Sequence, residues 1–181
     1  MPEPTSDPAP DPAPELTSDR ATGLAPESVL ERMPGRAPQV SGLHHVTFVV
    51  TQLDPAIEWF ARVLGAQHVT RFDHHDETGV LFGVILELTG FAGMVELRVA
   101  TAEYPLRPGY DPVTFEVADD EALAGWLRHV ERVGAAHSPI KQRRTGRSLE
   151  IRTPDDTIIR LFTAPAGGFD EVPFQETHVD H

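Results

Sequence analysis

One stretch of this chain occurs twice, and that constrains the fold more than anything else in it. His45-Val46-Thr47-Phe48-Val49-Val50 matches Pro112-Val113-Thr114-Phe115-Glu116-Val117 at a spacing of 67 residues. The same offset carries Trp59 onto Trp126 and Val63 onto Val130, and nearly carries Gly65 onto Gly134. A repeat of this length means two similar supersecondary units rather than one irregular core. Each unit opens with a β-branched strand, followed by a turn and an amphipathic helix. The first helix is expected to start at Asp54-Pro55, an N-cap acceptor followed by Pro, and to stop at Gly65. The second should run from about Asp120 to Val133 and stop at Gly134.

Strand-like runs follow each helix: His68–Phe72, Val80–Leu88 and Met94–Ala100 in the first unit. In the second they are about Ser138–Gln142, Ser148–Arg152 and Thr157–Thr163. The expected fold is α+β: two βαβββ modules forming a curled mixed sheet around a cavity, with the helices on its convex face. A doubly wound parallel fold would need helices between the later strands, and none is signalled. The modules cover about residues 42–103 and 108–165 of a domain at 41–165, with Tyr104–Tyr110 as connector.

The flanks differ in composition. Residues 1–40 hold 9 of the 17 prolines, interspersed with Ala and acidic residues, and are expected to form a largely disordered leader. The segment 27–33 is the exception, with the makings of one helical turn. Residues 166–181 are expected to be an acidic tail in which Phe169, Val172 and Phe174 are the residues able to dock. The net charge of −13 argues against nucleic acid and anionic membranes as partners. No apolar run reaches the roughly 20 residues of a membrane span, and the first 20 residues lack a secretory signal's basic start and apolar centre. Cysteine is absent, which removes disulfides, thiolate metal sites and a Cys nucleophile. A cytoplasmic protein is expected.

Alternation along the strands separates two faces. Val46, Phe48, Val50, Val95, Leu97, Val99, Val113, Phe115, Val117, Ile159 and Leu161 form an apolar face that belongs under the helices. The opposite face carries His45, Thr47, Val49, Met94, Glu96, Arg98, Thr114, Glu116, Ile158, Arg160 and Phe162. Such a mixed set suits the lining of a ligand cavity, and a solvated sheet face is the alternative.

Three motifs carry a family resemblance: LHHVTFVVTQLDPAIEWFARVLGA, MVELRV and SLEIRTPDDTIIRLF. In these the chain resembles the vicinal oxygen chelate superfamily, which groups glyoxalases, bleomycin-resistance proteins and extradiol dioxygenases. The resemblance spans about residues 42–165. Its last hairpin usually carries an Arg-Asp-Pro-Asp-Gly turn, and here reads Arg152-Thr153-Pro154-Asp155-Asp156.

The resemblance implies two different chemistries. Metal-dependent members place a His or Gln on the first strand and a Glu on the last strand of each module, to hold a divalent ion that polarises neighbouring substrate oxygens. Carried over, the first module supplies His45 and Glu96, suitable ligands for zinc, iron, nickel or manganese. The second module has Pro112 and Arg160 in those places. Proline offers no donor atom, and a guanidinium is a permanent cation. The expected cofactor is therefore either none or a single divalent metal on His45 and Glu96.

Without metal, Glu96 is expected to pair with Arg160. The catalytic candidates are Glu96 or Glu116 as general base, with Arg160 stabilising an oxyanion. His45, Thr47, Met94, Arg98, Thr114, Ile158 and Phe162 are the candidate ligand-binding residues. His68, His74 and His75 lie among Asp73, Asp76 and Glu77, in either a polar hairpin or a loop completing a metal site with His45. His44 is expected on the helix side, and both Trp59 and Trp126 in the core. The basic run Lys141–Arg147 is either a solvated hairpin or a rim that recognises an anion. Three functions compete: a bleomycin-resistance-like protein that binds or sequesters a small organic molecule, a lyase, isomerase or dioxygenase of the same fold, and a structural module with a vestigial cavity. Oligomeric state is open: the short connector allows either a cup completed within one chain or exchange between two chains in a homodimer.

Overall fold

The computed structural model describes residues 38–165. The chain divides between Val40 and Ser41, and all the helices and strands among the described residues lie in the second unit. The expected leader at 1–40 lies outside the described residues apart from its last three, as does the whole tail at 166–181.

The first module begins with β1 (His45–Val50) and α1 (Leu53–Leu64), followed by β2 (Gln67–His68), β3 (His74–His75), β4 (Leu81–Glu87) and β5 (Met94–Val99). The second comprises β6 (Val113–Val117), α2 (Asp120–Val133), β7 (Lys141–Arg143), β8 (Gly146–Arg152) and β9 (Ile158–Thr163). Each module builds its own mixed sheet. The strand orders are β1-β5-β4-β2, with β3 also on β4, and β6-β9-β8-β7. In each, the first and last strands are parallel and the other pairs antiparallel. The expected α+β fold of two βαβββ modules is present, with its sheet divided into one half per module.

Both helices stop where glycine was expected to stop them. Gly65 (φ 68°) and Gly134 (φ 70°) adopt the left-handed conformation that a side chain resists. The starts differ from each other. Asp119 caps α2 by accepting a hydrogen bond from the Ala122 amide at 2.8 Å. The first helix begins before the expected Asp54, because the buried Leu53 is drawn into its first turn. Gln52 is the N-cap and makes no side-chain cap bond, so Asp54 supports the helix dipole from inside the first turn instead.

The run expected as a strand at 68–72 is paired only at Gln67–His68 and then turns through a 3₁₀ segment at Thr70–Phe72. A 2.6 Å contact between His68 Nε2 and Asp73 Oδ1 clamps that turn. In the last hairpin, Asp156 takes the left-handed place that glycine fills in the family pattern, at φ 60°.

The apolar strand face lies under the helices as expected. Phe48, Val50, Val95, Leu97, Ile159 and Leu161 are buried with Phe60, Val63, Leu123 and Val130. Phe48 meets Phe60 edge to face at 5.2 Å. Polar links join the modules: Arg62 donates to the Val133 carbonyl, His129 Nε2 donates to the Val63 carbonyl, and Thr51 binds the Asp155 carboxylate.

A tight spot lies where β8 begins. A methyl group on Gly146 would collide with the Thr163 carbonyl oxygen, which is backbone and cannot swing aside. Gly146→Ala is expected to cost about 1–3 kcal/mol, the usual range for overpacking. Chemical denaturation measures it, and an unchanged midpoint would show that the two strand ends separate freely.

Candidate functional site

On the first sheet the register brings the candidate residues together. Thr47 lies opposite Glu96 and His45 opposite Met94, while Arg98 follows Glu96 by two residues on the same face. Glu96 is only 4% exposed, and both its oxygens are engaged. Thr47 Oγ1 donates to Oε2 at 2.7 Å, with His45 Nε2 3.5 Å from the same oxygen. Arg98 donates to Oε1 through Nε at 3.1 Å and approaches it through Nη2 at 3.0 Å. The Arg98 guanidinium is itself held over two rings, Phe82 at 5.3 Å and Tyr104 at 4.8 Å. A side chain at Gly83 would press on the edge of His74 at 3.3 Å and reach Glu96 Oε1 at 3.6 Å, and His74 stacks on Phe82.

The second sheet gathers a different cluster. Arg160 lies opposite Thr114 on one side and Glu150 on the other. Its Nη2 is 2.6 Å from Asp111 Oδ2 and 3.6 Å from Glu150 Oε1. Glu150 also takes Lys141 at 2.9 Å and Arg143 at 3.0 Å. The Lys141 hydrogen bond is the largest cause holding the Glu150 carboxyl below its ordinary value. Desolvation opposes it, and the charges of Lys141, Arg160 and Arg143 reinforce it.

The expected Glu96–Arg160 pair is therefore not formed. Glu96 takes its cation from its own strand, and Arg160 is held by Asp111 and Glu150. Thr47 and Pro112 do meet, lining one cavity of about 220 Å³ with Tyr104, Arg107 and Tyr110. Thr114, Glu116, Arg160 and Phe162 line a second cavity of about 350 Å³. Met94 and Ile158 are half-buried on their strands.

Asp111 and Glu150 were not among the sequence candidates. Glu150 alternates with Ser148 and Arg152 along β8, so the period-two pattern that found Arg160 could have found it. His44 is exposed and in contact with His45, rather than on the helix side, since it precedes the first paired residue of β1. The histidine-rich stretch is a hairpin. His74–His75 pairs with β4, and Asp76 ties its turn by accepting from Thr78 and Val80.

The four-ligand metal set does not fit these residues. Two of its positions hold Pro112 and an Arg160 already paired with carboxylates, and Glu96 has no free oxygen. Among the described residues no group of three or more His, Asp or Glu side chains is arranged to hold a metal ion. No helix among them is long and apolar enough to cross a membrane.

These two module sheets, each with its helix and a polar inner face, define a known class of protein. Residues 42–165 match the model of the Glyoxalase/Bleomycin resistance protein/Dioxygenase superfamily, and the chain belongs to that family. Among curated proteins it is 29% identical over 132 residues to a putative ring-cleaving dioxygenase, MhqA, of Bacillus subtilis. That match covers 70% of this chain and only 40% of the relative's length. Among solved structures, a mutant of the fosfomycin resistance protein FosX of Listeria monocytogenes, complexed with Mn(II) and a dihydroxypropylphosphonic acid, superposes with a TM-score of 0.56. It is 19% identical, over 74% of this chain and 98% of that one. TnmS3, an antibiotic binding protein from Streptomyces sp. CB03234, gives a TM-score of 0.53 at 18% identity, over 70% and 99%. Likeness at these identities speaks for the fold alone.

Proposed function

We propose that this chain binds a small organic molecule on the inner faces of its two sheets, without the family's full metal site. The observation that carries the reading is Glu96. Both oxygens of the one carboxylate in a surviving ligand position are held by Thr47 and Arg98, so a cation would have to displace a fixed guanidinium. TnmS3 is a relative in fold named for binding rather than turnover. On this reading His45, Thr47, Met94 and Arg98 serve one half of the binding surface, and Thr114, Ile158, Arg160 and Phe162 the other. A cytoplasmic homodimer is the form proposed, with neither nucleic acid nor membrane as partner.

The competing reading is an enzyme, a lyase, isomerase or dioxygenase, and one distance favours it. His45 Nε2 lies 3.5 Å from Glu96 Oε2, so two ligand types already adjoin. There His45 and Glu96 would hold a single divalent metal, or Glu96 or Glu116 would act as base with Arg160 facing a developing oxyanion. The similarity to MhqA points the same way.

Titration of Mn(II), Zn(II), Ni(II) and Fe(II) separates the two. The wild type is expected to bind none of them stoichiometrically, and Arg98→Ala to gain affinity by freeing Glu96. Tight one-to-one binding by the wild type, lost in both His45→Ala and Glu96→Ala, would overturn the metal-free reading.

A further inference from the structure

We infer that the inner face of the second module holds a site for a small aromatic carboxylate that carries a hydrogen-bond donor at its far end. The inference rests on the metal-free binding reading and names the ligand class for one half of the surface. It starts from Arg160. This side chain is 30% exposed, and both its ion pairs are made through Nη2. Its Nε is buried and has no hydrogen-bond partner among the described residues. A guanidinium donor shut away from water and left unmatched is costly, so a buried one normally has an acceptor. A carboxylate or carbonyl oxygen seated beside Nε would be that acceptor.

Charge supports an anion at this end. Around Arg160, behind the cavity wall, Lys141, Arg143 and Arg160 outnumber Glu150 and Asp111 by one charge, while Asp111 Oδ1 is likewise buried without a partner among the described residues and would take a donor. Guanidinium is the group best shaped to read a planar oxyanion. The opposite end of the cavity has the other sign. Glu116 lines it, and no ion pair or hydrogen bond engages that carboxylate among the described residues. A second anion there would be repelled, and an N–H or O–H donor would be accepted.

Register sets the length and the middle of the ligand. Thr114 pairs with Arg160 and Glu116 with Phe162, two residues further along the same strands. That step is about 6.6 Å along a strand, close to the span of a benzene ring with two para substituents. Phe162 supplies an aromatic wall beside Glu116, level with that end of the ligand, and about 350 Å³ is room for one such ring with its substituents.

The experiment uses 4-aminobenzoate, benzoate and aniline, titrated into the full chain in EDTA and followed by calorimetry and NMR. The wild type should bind 4-aminobenzoate saturably, benzoate more weakly, and aniline not at all. Arg160→Lys keeps the charge and the Asp111 pairing but removes Nε, and should weaken 4-aminobenzoate at least tenfold. Glu116→Gln should weaken 4-aminobenzoate and leave benzoate unchanged or tighter. Should Arg160→Lys fail to fold, loss of 4-aminobenzoate affinity without loss of benzoate affinity in Glu116→Gln decides the matter, since that side chain is exposed. Binding unaffected by either change, or no saturable binding of any probe, would overturn the inference. Stoichiometric metal at His45 and Glu96 beside Arg160-dependent binding of 4-aminobenzoate would instead sink the metal-free reading and leave this site standing.

Discussion

Trp59→Ala is expected to lose about 3–5 kcal/mol of stability, the range for truncating a large aromatic in a packed core. Trp59 is only 6% exposed and packs edge to face on Phe60 at 5.1 Å, with Val63 one turn further on. Its repeat partner should behave differently. Trp126 is half-buried, meets His129 edge to face, and lines an apolar groove of about 450 Å³ with Leu64, Phe91 and Phe115. Less apolar area leaves water there, so Trp126→Ala should cost about 1–2 kcal/mol. Urea denaturation with an unchanged slope measures both. Equal losses would mean that the groove closes in solution and that Trp126 is as enclosed as Trp59.

Glu150→Ala is expected to cost about 2–3 kcal/mol, below the roughly 3–5 kcal/mol for removing one member of a fully buried pair. Its carboxylate is 14% exposed and shared by three cations, and deleting it leaves like charges facing one another. Lys141 and Arg143 reach water, however, and recover part of the loss. The same group sets a pH dependence. Its folded carboxyl titrates below the ordinary 4.5, so the stability it contributes is complete above that value. As the pH falls through the lowered folded value the contribution disappears. Glu150→Gln should therefore flatten the acid side of the stability profile. Melting temperatures from about pH 3 to 7 test this, and parallel profiles for wild type and variant would show that the cluster does not couple to folding.

The architecture was legible because it is written twice. Two Val-rich strands, two tryptophans in step and a glycine after each helix leave one economical arrangement, and the period-two pattern assigned the faces correctly. Pairing within the site was not legible. Glu96 and Arg160 share a face type, but they sit on different sheets, and Arg98 is tethered two residues from Glu96. Asp111 lies just before β6 and is sequence-distant from Arg160. Glu150 meets Arg160 only through the β8–β9 register, which depends on how the hairpin at 153–157 closes. Local alternation says which way a side chain points, and ion pairing depends on which strand lies alongside.

The two helix ends share one pattern of contact. Arg62 and His129 occupy the same place in the repeat, since they too are 67 residues apart, and each reaches across to a last-turn carbonyl of the other helix. In a symmetric pair of identical single modules, one side-chain position would make both of these contacts at once, as a two-fold axis requires. Joining two copies through a connector turns that self-complementary contact into two separate ones, each free to change alone. The seam between the modules thus has the geometry of a two-fold interface drawn inside a single chain, with an arginine on one side and a histidine on the other.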